Sequence, residues 1–289
     1  MDFKCFQTDD FIMGPPLELI SLLESEADLF TTYLSTLSEK DWLRPSACEG
    51  WNVSHVVAHV TGQDFSRRIR RGLSGDISPP PGSPAVEDHD EDKFAEVIFE
   101  RAFSTVEALG YSLLTELSSR LYDSIELFKS VSGDQWGTLC YWPPGPETIR
   151  TMLEMRISEL TMHSWDVRSE LEPDYHLSPL SVHVLCDTVP RAIRRALRPD
   201  PEIDSVRRYR FNLIDLPDKV QDVIVNADGC YLESNSNERV RTSFSCNAES
   251  YVLIMYGRLK MKDALGSGLL ECEDGTEFAM EFGNRFIGG

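Results

Sequence analysis

The sequence predicts a chain in two parts, an N-terminal four-helix bundle followed by a small α+β domain. Three observations carry that expectation. Apolar residues recur at a spacing of three and four through residues 15–197, the period of an amphipathic helix. Beyond residue 200 the pattern turns to short alternating runs such as DVIVNA and RVRTSFS, bounded by turn residues. Between the two lies RPDPEIDS, whose prolines and acids read as a linker. The expected domains are residues 1–200 and 201–289.

The first helix is expected from Pro15 to about Ser38, with prolines suited to a first turn and a stripe of Leu17, Ile20, Leu23, Ala27 and Phe30. The second runs from Asn52 to about Arg71, carried by Val53, Val56, Val57 and Val60, with Asn52 as its N-cap. GDISPPPGSPAVEDHDED then breaks the pattern as an exposed acidic loop. Residues 94–131 read as a third helix, broken near Gly110, with Leu113, Leu117, Leu121, Ile125 and Phe128 one turn apart. After the loop QWGTLCYWPPGPETIRTM, a fourth helix spans Thr148 to about Leu171, and four such helices joined by loops make a bundle. A further helix covers Ser178–Leu197. In the C-terminal part RRYRFNLID, DVIVNA, CYLES, RVRTSFS and LLECED read as strands, Ala227-Asp228-Gly229 as a hairpin turn and Ala248–Leu259 as a helix.

Composition narrows the function. With 289 residues, 41% hydrophobic and 26% charged, the chain has the usage of a folded soluble protein rather than of a disordered one. Its net charge of -20, from 28 basic and 48 acidic side chains, repels phosphate backbones and anionic membranes. The basic clusters Arg67, Arg68, Arg70, Arg71 and Arg191, Arg194, Arg195, Arg198 fall in helical segments, where a solvated face is the ordinary explanation. Seven scattered cysteines without a C-x-x-C pair suggest free thiols in a reducing compartment. The start MDFKCFQTDDFIMG has acids where a signal peptide has basic residues, and no apolar run approaches the ~18 residues of a membrane span. The expectation is a cytoplasmic protein, with neither nucleic acid nor membrane as partner.

The chemistry sits in RISELTMHSWDVRSEL. Glu159 and His163 are four residues apart and share a helix face, either as a two-ligand grip for a cation or as a surface pair. In WNVSHVVAHV, His59 shares its stripe with Val56 and Val60, where a histidine is either a core residue or a ligand. Helix bundles build metal sites from carboxylates and imidazoles projecting inward from facing helices. His59, Glu159 and His163 would make a three-ligand set with a position left open, the pattern of a catalytic zinc, and one that also suits nickel or iron(II). Asp166, three residues after His163, would either orient a liganding imidazole or pair with Arg168 or Arg150, while Glu154 falls on another face. No arrangement suggests a protein nucleophile, and GxSxG, Walker A and GxGxxG are absent.

DWLRPSACEGWNVSHVVAHVTG, ISELTMHSWDVRSEL and YVLIMYGRLKMKDAL together resemble the mycothiol-dependent maleylpyruvate isomerase family over nearly the whole chain. The resemblance implies a DinB-like four-helix metal-binding domain followed by a sterol-carrier-like α+β domain. It places metal ligands at His59, Glu159 and His163, the set reached above. It implies that a divalent metal, usually zinc, activates the thiol of mycothiol, a low-molecular-weight cofactor, for addition to a substrate. It also implies a role for Arg258 in YGRL, whose cation would hold a substrate carboxylate; the alternative is a helix-end ion pair. Two departures stand out. Position 55, commonly aspartate in the family, is His55, which is either a fourth ligand or a surface residue, and the acidic loop of residues 75–92 has no clear counterpart.

The expected function is a metal- and thiol-dependent enzyme that isomerises, or transfers sulfur to, a small electrophile such as maleylpyruvate. Arg258 and Asp166 would act at the site, and Trp51, Trp142 and Trp165 would line the pocket for the thiol cofactor unless they are core. The partners expected are the substrate and the thiol, with the chain a monomer or small homo-oligomer. The alternative is a non-catalytic small-molecule or lipid-binding protein with a structural or vestigial metal site.

Overall fold

The computed structural model describes residues 15–285, apart from 63, 173, 197–202, 204, 228, 235 and 236. The expected linker at 198–205 and the centre of the 227–229 turn therefore fall largely outside the described residues, as does the N-terminal stretch. Contacts group the chain into two units, Met1–Arg44 with Gly50–His163, and Pro45–Glu49 with Ser164–Gly289.

The first unit is helical: α1 (Leu17–Thr36), α2 (Val53–Gly62), α3 (Phe65–Leu73), α4 (Glu91–Leu109), α5 (Leu113–Ser130) and α6 (Ile149–Arg168), whose last residues belong to the second unit. α1 buries Ile20, Leu23, Ala27, Phe30 and Leu34 along one stripe and packs on α5, whose Leu117, Leu121 and Phe128 are also buried. Each such side chain contributes roughly 1.5–3 kcal/mol when fully removed from water. A short antiparallel pair, β1 (Leu139–Cys140) and β2 (Glu147–Thr148), precedes α6.

The helix expected over 52–71 is two helices. Asp64 stops the first pattern and starts the second, its side chain accepting from the Arg67 backbone N–H at 3.3 Å as an N-cap. α3 then lies against β1, so close that a Cβ on Gly72 would stand 2.6 Å from the Cys140 Sγ and 2.7 Å from the Leu139 carbonyl oxygen. Asn52 caps α2 as expected, its Oδ1 accepting from the His55 N–H at 3.0 Å. The break near Gly110 is present: its φ of +46° ends α4, and a 3-10 turn leads into α5.

In the second unit α7 (Pro179–Ala196) leads to β3 (Arg207–Leu213), β4 (Val220–Asn226), β5 (Gly229–Ser234) and β6 (Thr242–Cys246), then α8 (Ala248–Met255), α9 (Met261–Gly266), β7 (Leu270–Cys272) and α10 (Thr276–Gly283). The sheet order is β5-β4-β3-β6-β7, with β3 and β6 parallel and the other neighbours antiparallel. Alternation along β3 sends Tyr209, Phe211 and Leu213 inward, where Phe211 meets Phe244, Tyr251 and Phe282 at ring separations of 4.8, 5.3 and 5.6 Å. The opposite face carries charge. Arg210 stands across from Asp222, and Asp222 across from Glu233. Both Arg208 and Arg210 donate to the fully buried Asp222, at 2.7–3.0 Å. α7 packs on α8 and β5.

Among the described residues no helix is long and apolar enough to cross a membrane. The six described cysteines are free.

Candidate metal centre

Two helices of the first unit supply the cluster. α2 is held by Val53, Val56, Val57 and Val60, each with no exposed surface, and this stripe turns His59 inward at 7% exposure. α6 buries most of its length, and the four-residue spacing stacks Glu159 and His163 on one face. The three side chains converge. His59 Nε2 lies 3.5 Å and His163 Nε2 3.4 Å from the same oxygen, Glu159 Oε2, and the imidazole rings meet edge to face at 4.7 Å. One ligand atom from each lies within 4.8 Å of the other two.

The electrostatics suit a cation. Burial pushes the His59 imidazole down to about 4, against a weaker upward pull from Glu159, so at neutral pH it is uncharged with a lone pair available. Burial alone would raise the Glu159 carboxyl, but hydrogen bonds from His163 and His59 outweigh it and hold the group well below the usual carboxylate range. Glu159 is also the most open of the three, its side chain 24% exposed against 8% and 11% for the histidines, so the cluster has a side from which a ligand can enter.

Several neighbours close the other sides. The Trp51 ring packs on His59 at 5.3 Å and on Phe99 of α4 at 6.2 Å. Arg156, 1% exposed, donates to the Val60 carbonyl oxygen at 3.3 Å and lies 5.2 Å from the Phe65 ring. Trp142 lies beside Phe65, at a ring separation of 5.9 Å, and under the Arg68 guanidinium at 4.6 Å. His55 stacks on Phe103 at 3.9 Å, and its Nδ1 accepts from the Asn52 N–H at 3.3 Å; it is not in the cluster of three.

The other two candidates meet in the second unit. α8 ends in a Schellman turn, in which Gly257 at φ +73° lets its N–H reach the Ile254 carbonyl and the Arg258 N–H reach that of Leu253. This delivers Arg258 to Asp166. Its Nε donates to Oδ1 at 3.0 Å and its Nη2 to Oδ2 at 2.9 Å, while Asp166 has no exposed surface. The Cys48 thiol donates to the same Oδ2 at 3.1 Å. Arg168 reaches Glu172 and Arg150 reaches Glu154.

Sequence reasoning missed Arg68, Arg101, Arg156 and Cys48. Arg68 belongs to a run read as a solvated face, yet it stacks over Tyr141 and Trp142; Arg70 instead pairs with Asp123, and Arg71 with Asp76. The one available signal was period: Arg68 falls three residues after Phe65 and one before Ile69, both buried.

A helical unit with two imidazoles and a carboxylate converging from two helices defines a class, a helical domain with a candidate metal centre. The family follows from comparison. Residues 23–168 match the model of the mycothiol maleylpyruvate isomerase N-terminal domain, and the chain belongs to that family. Two solved structures share its fold over 90% of this chain and 93% of theirs: a mycothiol-dependent maleylpyruvate isomerase (TM-score 0.60, 15% identity) and a histidine-to-alanine mutant of such an enzyme (TM-score 0.62, 14% identity). No curated protein matches the chain.

Proposed function

We propose that this protein is a divalent-metal- and thiol-dependent enzyme of the cytoplasm, acting on a small electrophile such as maleylpyruvate by isomerisation or by sulfur transfer. The observation that carries it is the convergence of His59, Glu159 and His163 around a common point with one partly open side. The donor chemistry fits zinc first, with nickel or iron(II) also accommodated: two imidazoles and one carboxylate carry a single negative charge and leave a coordination position for a ligand.

His59, Glu159 and His163 would hold the ion, and what it supplies when bound is Lewis acidity that keeps a cofactor thiol, mycothiol or similar, as thiolate near neutral pH. The chain's own residues do the rest. The valine stripe of α2 fixes the His59 ring, and Trp51 packs against it. Burial of both imidazoles excludes bulk water from two sides of the centre. The bidentate hold on Asp166 sets the position of Arg258 within the second unit.

Two measurements test the reading. Purified protein is expected to contain about one equivalent of zinc, nickel or iron by elemental analysis, and His59→Ala or Glu159→Gln to lose it. Turnover of an electrophile is then compared with mycothiol, glutathione, bacillithiol and no thiol. Metal-free protein whose melting temperature ignores His59→Ala sinks the metal centre; turnover independent of every thiol sinks the thiol chemistry and leaves metal-assisted hydrolysis or a binding protein.

A further inference from the structure

Two arginines of the first unit stand without an acid. The chain holds 48 acidic side chains against 28 basic ones, and most of its other described arginines end on a carboxylate. Arg68 on α3 and Arg101 on α4 do not: among the described residues neither makes a hydrogen bond or ion pair, and the Arg101 Nε is a buried donor lacking an acceptor. Arg101 lies along α2, its Nε, Cδ and Cγ within 3.6–3.9 Å of where a Cβ on Gly62 would be. Arg68 lies over Trp142 at 4.6 Å and near Tyr141 at 5.7 Å.

Both are half-buried, and burial lowers both guanidinium pKa values. The charges that face them are few. Arg101 feels Glu159 and Asp64, while Arg68 feels Asp64 and the like charge of Arg101. Asp64 is exposed and already lies 3.6 Å from Arg67. Gly62, against which Arg101 lies, follows His59 by three residues on α2, and the Arg101 charge acts on both His59 and Arg68. Two partly desolvated cations that repel one another and lack partners are a standing cost to the fold. An anion from solution would offset it.

Arg258 is a poor choice for that role, since the faces of its fork are already given to the Asp166 carboxylate. We propose that Arg68 and Arg101 form an oxyanion subsite beside the His59–Glu159–His163 cluster that holds the carboxylate of an organic acid, with Trp142 as the planar floor under Arg68. Guanidinium groups grip carboxylates through paired N–H donors, and a ring lying under one of the two would suit a planar acid. The ligand's identity as substrate rests on the proposed metal- and thiol-dependent reaction; the binding itself does not.

The test is equilibrium binding to the full chain, read by calorimetry and by the fluorescence of the tryptophans. The probes are maleate, its dimethyl ester, inorganic phosphate and chloride. We expect maleate to bind at one equivalent, the ester not to bind, and phosphate to bind more weakly. Arg68→Gln and Arg101→Gln are each expected to weaken maleate at least about tenfold, the loss of a charge-assisted contact. Without ligand both variants are expected to melt no lower than the parent, because each removes an uncompensated charge. Maleate binding that survives both substitutions overturns the subsite, as does a lowered melting temperature with unchanged binding, which marks a structural role. Phosphate binding more tightly than maleate overturns the carboxylate assignment. His59→Ala separates the two proposals: maleate that still binds to this variant isolates the subsite from the metal, whereas metal content unchanged in His59→Ala fails the metal centre alone.

Discussion

A double-mutant cycle on Asp166 and Arg258 isolates the pair that decides what Arg258 is free to do. Both guanidinium contacts, at 3.0 and 2.9 Å, go to a carboxylate with no exposed surface, and the Arg258 side chain is itself only 14% exposed. Screening by water is therefore slight. Asp166→Ala leaves the guanidinium beside the Tyr256 carbonyl oxygen, to which its Nη1 donates at 2.8 Å, with no counter-charge from Asp166. Arg258→Ala leaves a buried carboxylate with the Cys48 thiol as one remaining donor. Breaking one partner of such a pair costs roughly 3–5 kcal/mol, whereas removing both strands no charge. The double variant is expected to lose about as much as either single one, which makes the coupling about 3–5 kcal/mol in magnitude. At roughly 2–4 °C per kcal/mol each single variant should melt at least about 6 °C below the parent. Urea unfolding followed by circular dichroism measures the three losses, with Cys48→Ala as the control for the thiol contact. A coupling under about 0.5 kcal/mol would refute the buried-pair argument and return Arg258 to the role of a substrate anchor.

Other expectations follow from single contacts. Gly72→Ala forces a methyl group to within 2.6 Å of the Cys140 Sγ and 2.7 Å of a backbone oxygen, so α3 must move off β1; a loss of about 1–3 kcal/mol by denaturant titration is expected, and a neutral variant would contradict the close approach. Gly257→Ala imposes φ +73° on a residue with a Cβ and should cost about 1 kcal/mol while loosening Arg258. For Asp222, burial raises the carboxyl but hydrogen bonds from Arg210 and Arg208 outweigh it, leaving the folded value below the usual range of an aspartate. The unfolded chain then binds the proton more readily, so stability from this group is present above pH ~4 and is lost as pH falls through the folded value. Asp222→Asn should flatten the acid limb of a stability profile measured from pH 6 to pH 2, and an unchanged limb would count against the arginine pair as its cause.

Much of the local structure was legible in apolar spacing. The stripe Ile20, Leu23, Ala27, Phe30 needs no partner to be recognised, because a 3.6-residue period puts those side chains on one face whatever covers it. The two-residue alternation of Tyr209, Phe211 and Leu213 marks a strand in the same way. The break between α2 and α3 was less visible: the apolar period runs on from Val60 to Phe65, and what stops the helix is one capping carboxylate, Asp64. A cap competes with continued helix by about 1 kcal/mol, too little to leave a mark on the pattern.

The candidate site divides along the same line. That Glu159 and His163 share a face is a property of helical spacing and could be read from four letters of separation. That His59 lies about a hydrogen bond's reach from Glu159 is a property of how α2 meets α6, a contact across a hundred residues of chain that no local periodicity encodes. Charged residues show the limit most clearly. Arg68 and Arg70 are two positions apart in one basic run, yet one stacks on Trp142 and the other pairs with Asp123 in solvent. Hydrophobic burial is written residue by residue because each apolar side chain carries its own preference for leaving water; where a charge ends up depends on which partner the packed helices bring to it, and only the folded chain decides that.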